Sequence, residues 1–157
     1  MTDYGYKAID SGAIGKTFER DLKAEFNQRA KVAKQGKIDF RRDGKCFEVK
    51  TGSGEVKQLL TSKVKYVVFV PVVDMGKPVT MQEGFILDKN MFLEVLTDCN
   101  LIRHKVTTGG QDTMAIQTFW NRSKNAPHGK AYFKLIDKLY DSCIMTLEEY
   151  FNCGGKF

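Results

Sequence analysis

A chain of 157 residues with 42% hydrophobic residues, 28% charged residues and three prolines has the composition of a folded globular protein, which excludes disordered and collagen-like classes. At this length one fold buries roughly 70% of the surface its unfolded chain exposes, so one compact domain over residues 1–157 is expected without help from disulfides or a structural metal. The 25 Lys+Arg against 19 Asp+Glu leave a formal charge of +6, a mild lean towards an anionic partner such as nucleic acid.

The N-terminus Met1-Thr2-Asp3-Tyr4 lacks the basic and apolar regions of a signal peptide, and a cytoplasmic location is expected. From Ile14 to Lys34 apolar residues recur at Ile14, Phe18, Leu22, Phe26 and Ala30, an i, i+4 stripe that predicts an amphipathic helix. Lys37–Arg42 and Lys45–Thr51 alternate in polarity around Asp43-Gly44, the dipeptide of a two-residue type I′ hairpin turn. Glu55–Ser62 suits a short helix. The apolar run Val64–Val73 reads as a strand buried on both faces, and it is far short of the roughly 20 residues of a membrane helix, so no membrane partner is expected.

Residues 74–83 read as loop, with Gly84–Leu87 as a further strand. Asp88 is a suitable N-cap for a helix over Lys89–Cys99, with Phe92, Val95 and Leu96 on its apolar face. Leu101–Thr107 and Thr113–Phe119 are strand candidates for a second hairpin. Gly129–Ser142 places Ala131, Leu135, Ile136 and Leu139 on one helical face, and Thr146–Asn152 suits a last short helix. Together these predict an α/β protein with a mixed central sheet flanked by helices.

The first hairpin carries the chemistry. A two-residue turn at Asp43-Gly44 sets Arg42 opposite Lys45, Arg41 opposite Cys46, Phe40 opposite Phe47 and Asp39 opposite Glu48. Ile38, Phe40, Phe47 and Val49 then share one face, and Lys37, Asp39, Arg41, Cys46, Glu48 and Lys50 share the other. Like charges directly opposed across a strand pair are destabilising, so Asp39 and Glu48 call for a compensating cation, either Lys37, Arg41 and Lys50 or a bound metal. Glu19 adds a third acid at the edge of the helical stripe.

Glu19 within Gly15-Lys16-Thr17-Phe18-Glu19-Arg20, Asp39 on a strand and Glu48-Val49-Lys50 on the next resemble the motif of the PD-(D/E)xK nucleases, nearest the Holliday junction resolvase-like and phage nuclease group. The resemblance covers roughly the first 75 residues, and Ile38 stands where the motif has proline. It implies a restriction-endonuclease-like core and metal-dependent hydrolysis of DNA. Mg²⁺, for which Mn²⁺ could substitute, takes oxygen ligands, often one or two carboxylates plus substrate phosphate. By the resemblance Asp39 and Glu48 hold the ion with the Val49 carbonyl, Glu19 binds a second ion or orients water, and Lys50 assists the attacking water.

Arg20, Arg41 and Arg42 lie near the proposed site, and with Lys16 and Lys130 they are the expected DNA contacts. Lys130, Lys134 and Lys138 recur every four residues and either track a phosphate backbone or form a solvated face. Trp120 suits base stacking or burial. His104 and His128 are isolated, as expected of simple hydrogen-bonding residues. Cys46, Cys99, Cys143 and Cys153 are widely spaced, which predicts reduced, mostly buried thiols and no zinc site. Thr51-Gly52-Ser53-Gly54 is no phosphate loop, since no G-K-[ST] follows.

Two rival functions remain at this level: a DNA-binding protein on a nuclease scaffold that does not cut, and an interaction subunit of a phage or mobile-element complex. A solvated ladder of surface ion pairs would also account for the acids and Lys50. A homodimer is the assembly by which one site per chain would cut both strands.

Overall fold

A computed structural model describes residues 5–7, 11–29, 31–33, 38–51, 63–71, 78–80, 84–99, 102–106, 112–116, 120–121, 126–127 and 129–157. The expected helix at Glu55–Ser62 and the side chain of His128 lie outside the described residues.

Helix α1 runs from Ser11 to Glu25, not from Ile14 to Lys34. The apolar stripe carries on to Phe26, but the chain leaves the helix at Asn27, whose φ is 55°. The Asn27 N–H donates to the Ala24 carbonyl at 3.0 Å and the Gln28 N–H to the Lys23 carbonyl at 2.9 Å, the paired closure of a Schellman motif in which Asn tolerates the left-handed conformation. Periodicity alone does not report such a stop.

Strands β2 (Phe40–Arg42) and β3 (Lys45–Thr51) form the expected antiparallel hairpin, with Phe40 opposite Phe47, Arg41 opposite Cys46 and Arg42 opposite Lys45. Asp43 and Gly44 have φ of 50° and 72°, the two positive values a type I′ turn requires. The first strand is shorter than expected: it begins at Phe40, and Asp39 precedes it.

Strand β4 (Tyr66–Val70) pairs in parallel with β3, and β6 (Phe85–Asp88) pairs antiparallel with β4. With β11 (Met145–Thr146) on β6 they form a five-stranded mixed sheet ordered β11-β6-β4-β3-β2. The apolar run therefore occupies the middle of the sheet, and its alternate residues feed two cores. Val67 and Phe69 join Phe85 and Leu87 beneath α2 (Lys89–Asp98) and α3 (Gly129–Ser142), which supply Phe92, Val95, Leu96, Leu135 and Leu139. Val68, Val70 and Ile86 face the other way and pack with Phe40, Phe47 and α1's Phe18 and Leu22.

Asp88 caps α2 as expected, its Oδ1 accepting from the Asn90 and Met91 N–H groups at 2.9 and 3.1 Å. Thr146 caps α4 (Leu147–Asn152) in a reciprocal box with Glu149, and α4 delivers Leu147 and Tyr150 to the second core. Gly84 makes room for this packing, since a Cβ there would lie 2.9 Å from Leu147 Cδ2.

The second hairpin is present as β7 (Ile102–Val106) and β8 (Asp112–Ile116), and His104 lies on β7. Two further antiparallel pairs were not expected: β1 (Gly5–Lys7) with β5 (Pro78–Thr80), and β9 (Trp120–Asn121) with β10 (Ala126–Pro127). Strand β5 corrects the expectation of loop over residues 74–83. Three residues are too few to display a period-2 pattern, and a proline opens the strand, where its missing N–H is tolerated.

The thiols correct another expectation. All four are free, but only Cys99 is buried; Cys46 and Cys143 are half-buried and Cys153 is exposed. Wide sequence spacing speaks to pairing and says little about burial. Among the described residues no helix is long and apolar enough to cross a membrane.

Candidate functional site

The hairpin register decides which side chains meet. Flanking a two-residue turn, Arg42 and Lys45 form a hydrogen-bonded pair, so the alternation makes Asp39 and Glu48 a non-hydrogen-bonded pair, the kind whose side chains approach more closely. The ladder ends at Phe40, and Asp39 uses its freedom to bond across it: Oδ2 accepts the Val49 N–H at 3.0 Å. In a strand, one residue's N–H and C=O point to the same side. The Val49 carbonyl therefore faces the side on which Asp39 lies.

Glu48 is only 7% exposed, which contradicts a solvated ladder of surface ion pairs. Burial, a hydrogen bond to Asp39 and the Asp39 charge together push its carboxyl up to about 8, while Lys50 pulls it down and Glu19 pushes it further up. The rise favours the protonated form of the Glu48 carboxyl, which pairs with Asp39 through their hydrogen bond. Asp39, Glu48 and Lys50 are brought together as expected.

Glu19 is close enough for its charge to act on Glu48, but it comes from a different direction. The register sets Glu48 and Lys50 on the face of β4 that carries Val67 and Phe69, whereas α1 packs its Phe18 and Leu22 on the opposite face. Glu19 is itself buried, and its Oε1 accepts from Lys23 Nζ at 3.1 Å and from the Ala33 N–H at 2.7 Å. Lys23 Nζ also donates to the Lys31 carbonyl at 2.7 Å. Glu19 and Lys23 therefore clamp residues 31–33 onto α1.

Lys23 was missed in the sequence. The signal was present, since a Glu four residues before a Lys is the favourable helical pairing, but such pairs are common on solvated faces. Only the burial of this one distinguishes it.

The expected DNA contacts do not form one surface. Lys16 and Arg20 are exposed on α1, Lys130 lies on α3 beyond the opposite face of the sheet, and Arg41 and Arg42 sit at the hairpin tip. Lys134 and Lys138 lie near enough to Cys99, the C-cap of α2, for their charges to lower its thiol pKa against the rise caused by burial.

Among the described residues no group of three or more His, Cys, Asp or Glu side chains is arranged to hold a metal ion. The Asp39–Glu48 pair is nevertheless an oxygen-only donor set in which burial and the neighbouring acid favour the protonated form of Glu48. A divalent cation that retains several waters needs no more than one or two carboxylates of this type, so the residues fit such an ion. No protein family, curated protein or solved structure matches the chain.

Proposed function

We propose that the chain is a metal-dependent deoxyribonuclease that hydrolyses DNA phosphodiester bonds in the cytoplasm, on a restriction-endonuclease-like core of the PD-(D/E)xK kind. The observation that carries this is the buried Glu48 hydrogen-bonded to the half-buried Asp39, with Lys50 beside them. Opposed carboxylates cost stability in the absence of a cation, and a nuclease site gives them a use. The mixed sheet with helices against both faces agrees with such a core at the level of architecture.

Mg²⁺, or Mn²⁺ in its place, would be held by Asp39, Glu48 and the Val49 carbonyl, and would supply charge stabilisation at the phosphoryl oxygens and a more acidic water. Asp39 is oriented for this by the Val49 N–H. Glu48 must release its proton to become a ligand. Lys50 donates from its ammonium group towards the oxygen on which negative charge develops and positions the attacking water. Glu19 supports the site through its charge and, with Lys23, fixes the chain at Ala33. A homodimer would bring two such sites to the two strands of a duplex.

Incubation of the purified protein with plasmid, branched and single-stranded DNA in Mg²⁺ or Mn²⁺ tests this. Cleavage should require the metal and fall at least 100-fold in Lys50→Ala and Asp39→Ala, about the loss expected when an electrostatic or acid–base group is removed. Cleavage that survives either substitution would overturn the assignment.

A further inference from the structure

We propose that the tip of the β2–β3 hairpin is a second anion site, which holds a phosphate of a nucleic-acid backbone beside the acid pair. Its choice of ligand rests on the nuclease proposal; its geometry does not.

A cleft of about 370 Å³ opens around the turn, lined by Arg41, Arg42 and Lys45 with Gln28 and Asp43. Three cations and one acid line it: the register sets Arg41 on the face of the hairpin that carries the acid pair, and Arg42 and Lys45 on the other face, at its tip. Asp43 lies 3.6 Å from Lys45 Nζ and its side chain is 45% exposed, so its charge is well screened by water. Among the described residues neither Arg41 nor Arg42 is within ion-pair distance of a carboxylate.

Arg42 is held ready for a ligand. Its Nε and Nη2 donate to the Gly154 carbonyl at 3.3 and 3.0 Å, and its guanidinium lies 4.6 Å from the centre of the Phe26 ring. A neutral carbonyl takes two of its five donors and leaves the charge uncompensated. Gly155 permits this clamp, because a Cβ there would sit 2.9 Å from Arg42 Cγ. Gln28 Nε2 donates to the Arg41 carbonyl at 2.7 Å, which fixes the edge of the hairpin beneath the Arg41 side chain. A cation immobilised before binding loses less entropy on capturing an anion than a free surface lysine does.

The position relates the cleft to the acids. Arg41 and Cys46 point to the same side of the hairpin as Asp39 and Glu48 and are two residues nearer the tip, about 7 Å along the strand. That is roughly the through-space separation of neighbouring phosphates on one strand, whose helical path is longer than its ~3.4 Å axial rise. A backbone lying along this face of the hairpin would place one phosphate at the acids and the next at Arg41, where the cleft opens.

The test is fluorescence anisotropy with a labelled duplex oligonucleotide in chelator, where no cleavage can occur, over a salt series. For Arg41→Gln/Lys45→Gln the slope of log affinity against log salt should be shallower than wild type by about 0.9, the value for one lost phosphate contact. Lys63→Gln, an exposed cation outside the cleft, should leave the slope unchanged, and the charge-conserving Arg41→Lys/Lys45→Arg pair should restore it. An unchanged slope in the Gln pair, an equal loss per charge in Lys63→Gln, or displacement of the duplex by equimolar inorganic phosphate would overturn the site. Cleavage assayed in parallel separates the two proposals. A shallower slope without metal-dependent cleavage keeps the cleft and rejects the nuclease, and cleavage with an unchanged slope does the reverse.

Discussion

Glu48 is the residue on which the chemistry turns, because a carboxyl 7% exposed and hydrogen-bonded to a second carboxyl is raised to about 8 from 4.5. Below pH 4.5 the folded and unfolded chains both hold this proton. Between 4.5 and 8 the unfolded chain releases it while the folded chain retains it, so stability falls as pH rises, by at most about 1.4 kcal/mol per pH unit, and levels off above 8. Denaturant unfolding in chelator across this window should show the decline in wild type and a flatter profile in Glu48→Gln, with the variant the more stable above pH 8. A wild-type profile as flat as that of the variant would contradict a buried Glu48 with a raised pKa. The opposition of the acids was legible in the sequence, because a turn of two residues fixes register. The burial was not: alternation marks Glu48 as lying on the polar side of the hairpin, and only the assembled sheet shows that water is excluded there.

At the scale of elements, what could be read in advance follows from how strong each local signal is. Asp43-Gly44, Asp88 before α2 and the repeat across α3 all specify structure within a few residues, and these elements formed as expected. The end of α1 did not, since the i, i+4 stripe continues past Asn27 although the backbone turns away. Strands of two or three residues such as β5 and β11 carry no readable period and exist through their partners. Helix α4 illustrates a cost that only packing creates. Tyr150 is fully buried among aromatic rings, its hydroxyl has no hydrogen-bond partner among the described residues, and burial holds the phenol above its ordinary range. Tyr150→Phe removes that unpaired group and keeps the ring, so it should stabilise the protein by about 1 kcal/mol in urea unfolding. A loss of stability would mean that the hydroxyl has a partner.

In the whole molecule the central strand β4 divides two cores, and the candidate site belongs to the margin of the sheet, where β2 begins and Asp39 bonds back to Val49. The surplus charge of +6 is distributed over helices on both faces and at the hairpin tip, so the tip is the part of it that adjoins the acids. A divalent cation entering the Asp39–Glu48 pair must displace the Glu48 proton, and metal binding is then coupled to proton release. Titration calorimetry with Mn²⁺ at pH 7, in two buffers of different ionisation enthalpy, measures that release directly. About one proton should leave per ion bound to wild type, and neither the binding nor the release should persist in Asp39→Ala or Glu48→Gln. Binding without proton release, or binding that survives both substitutions, would show that the pair is not the metal centre.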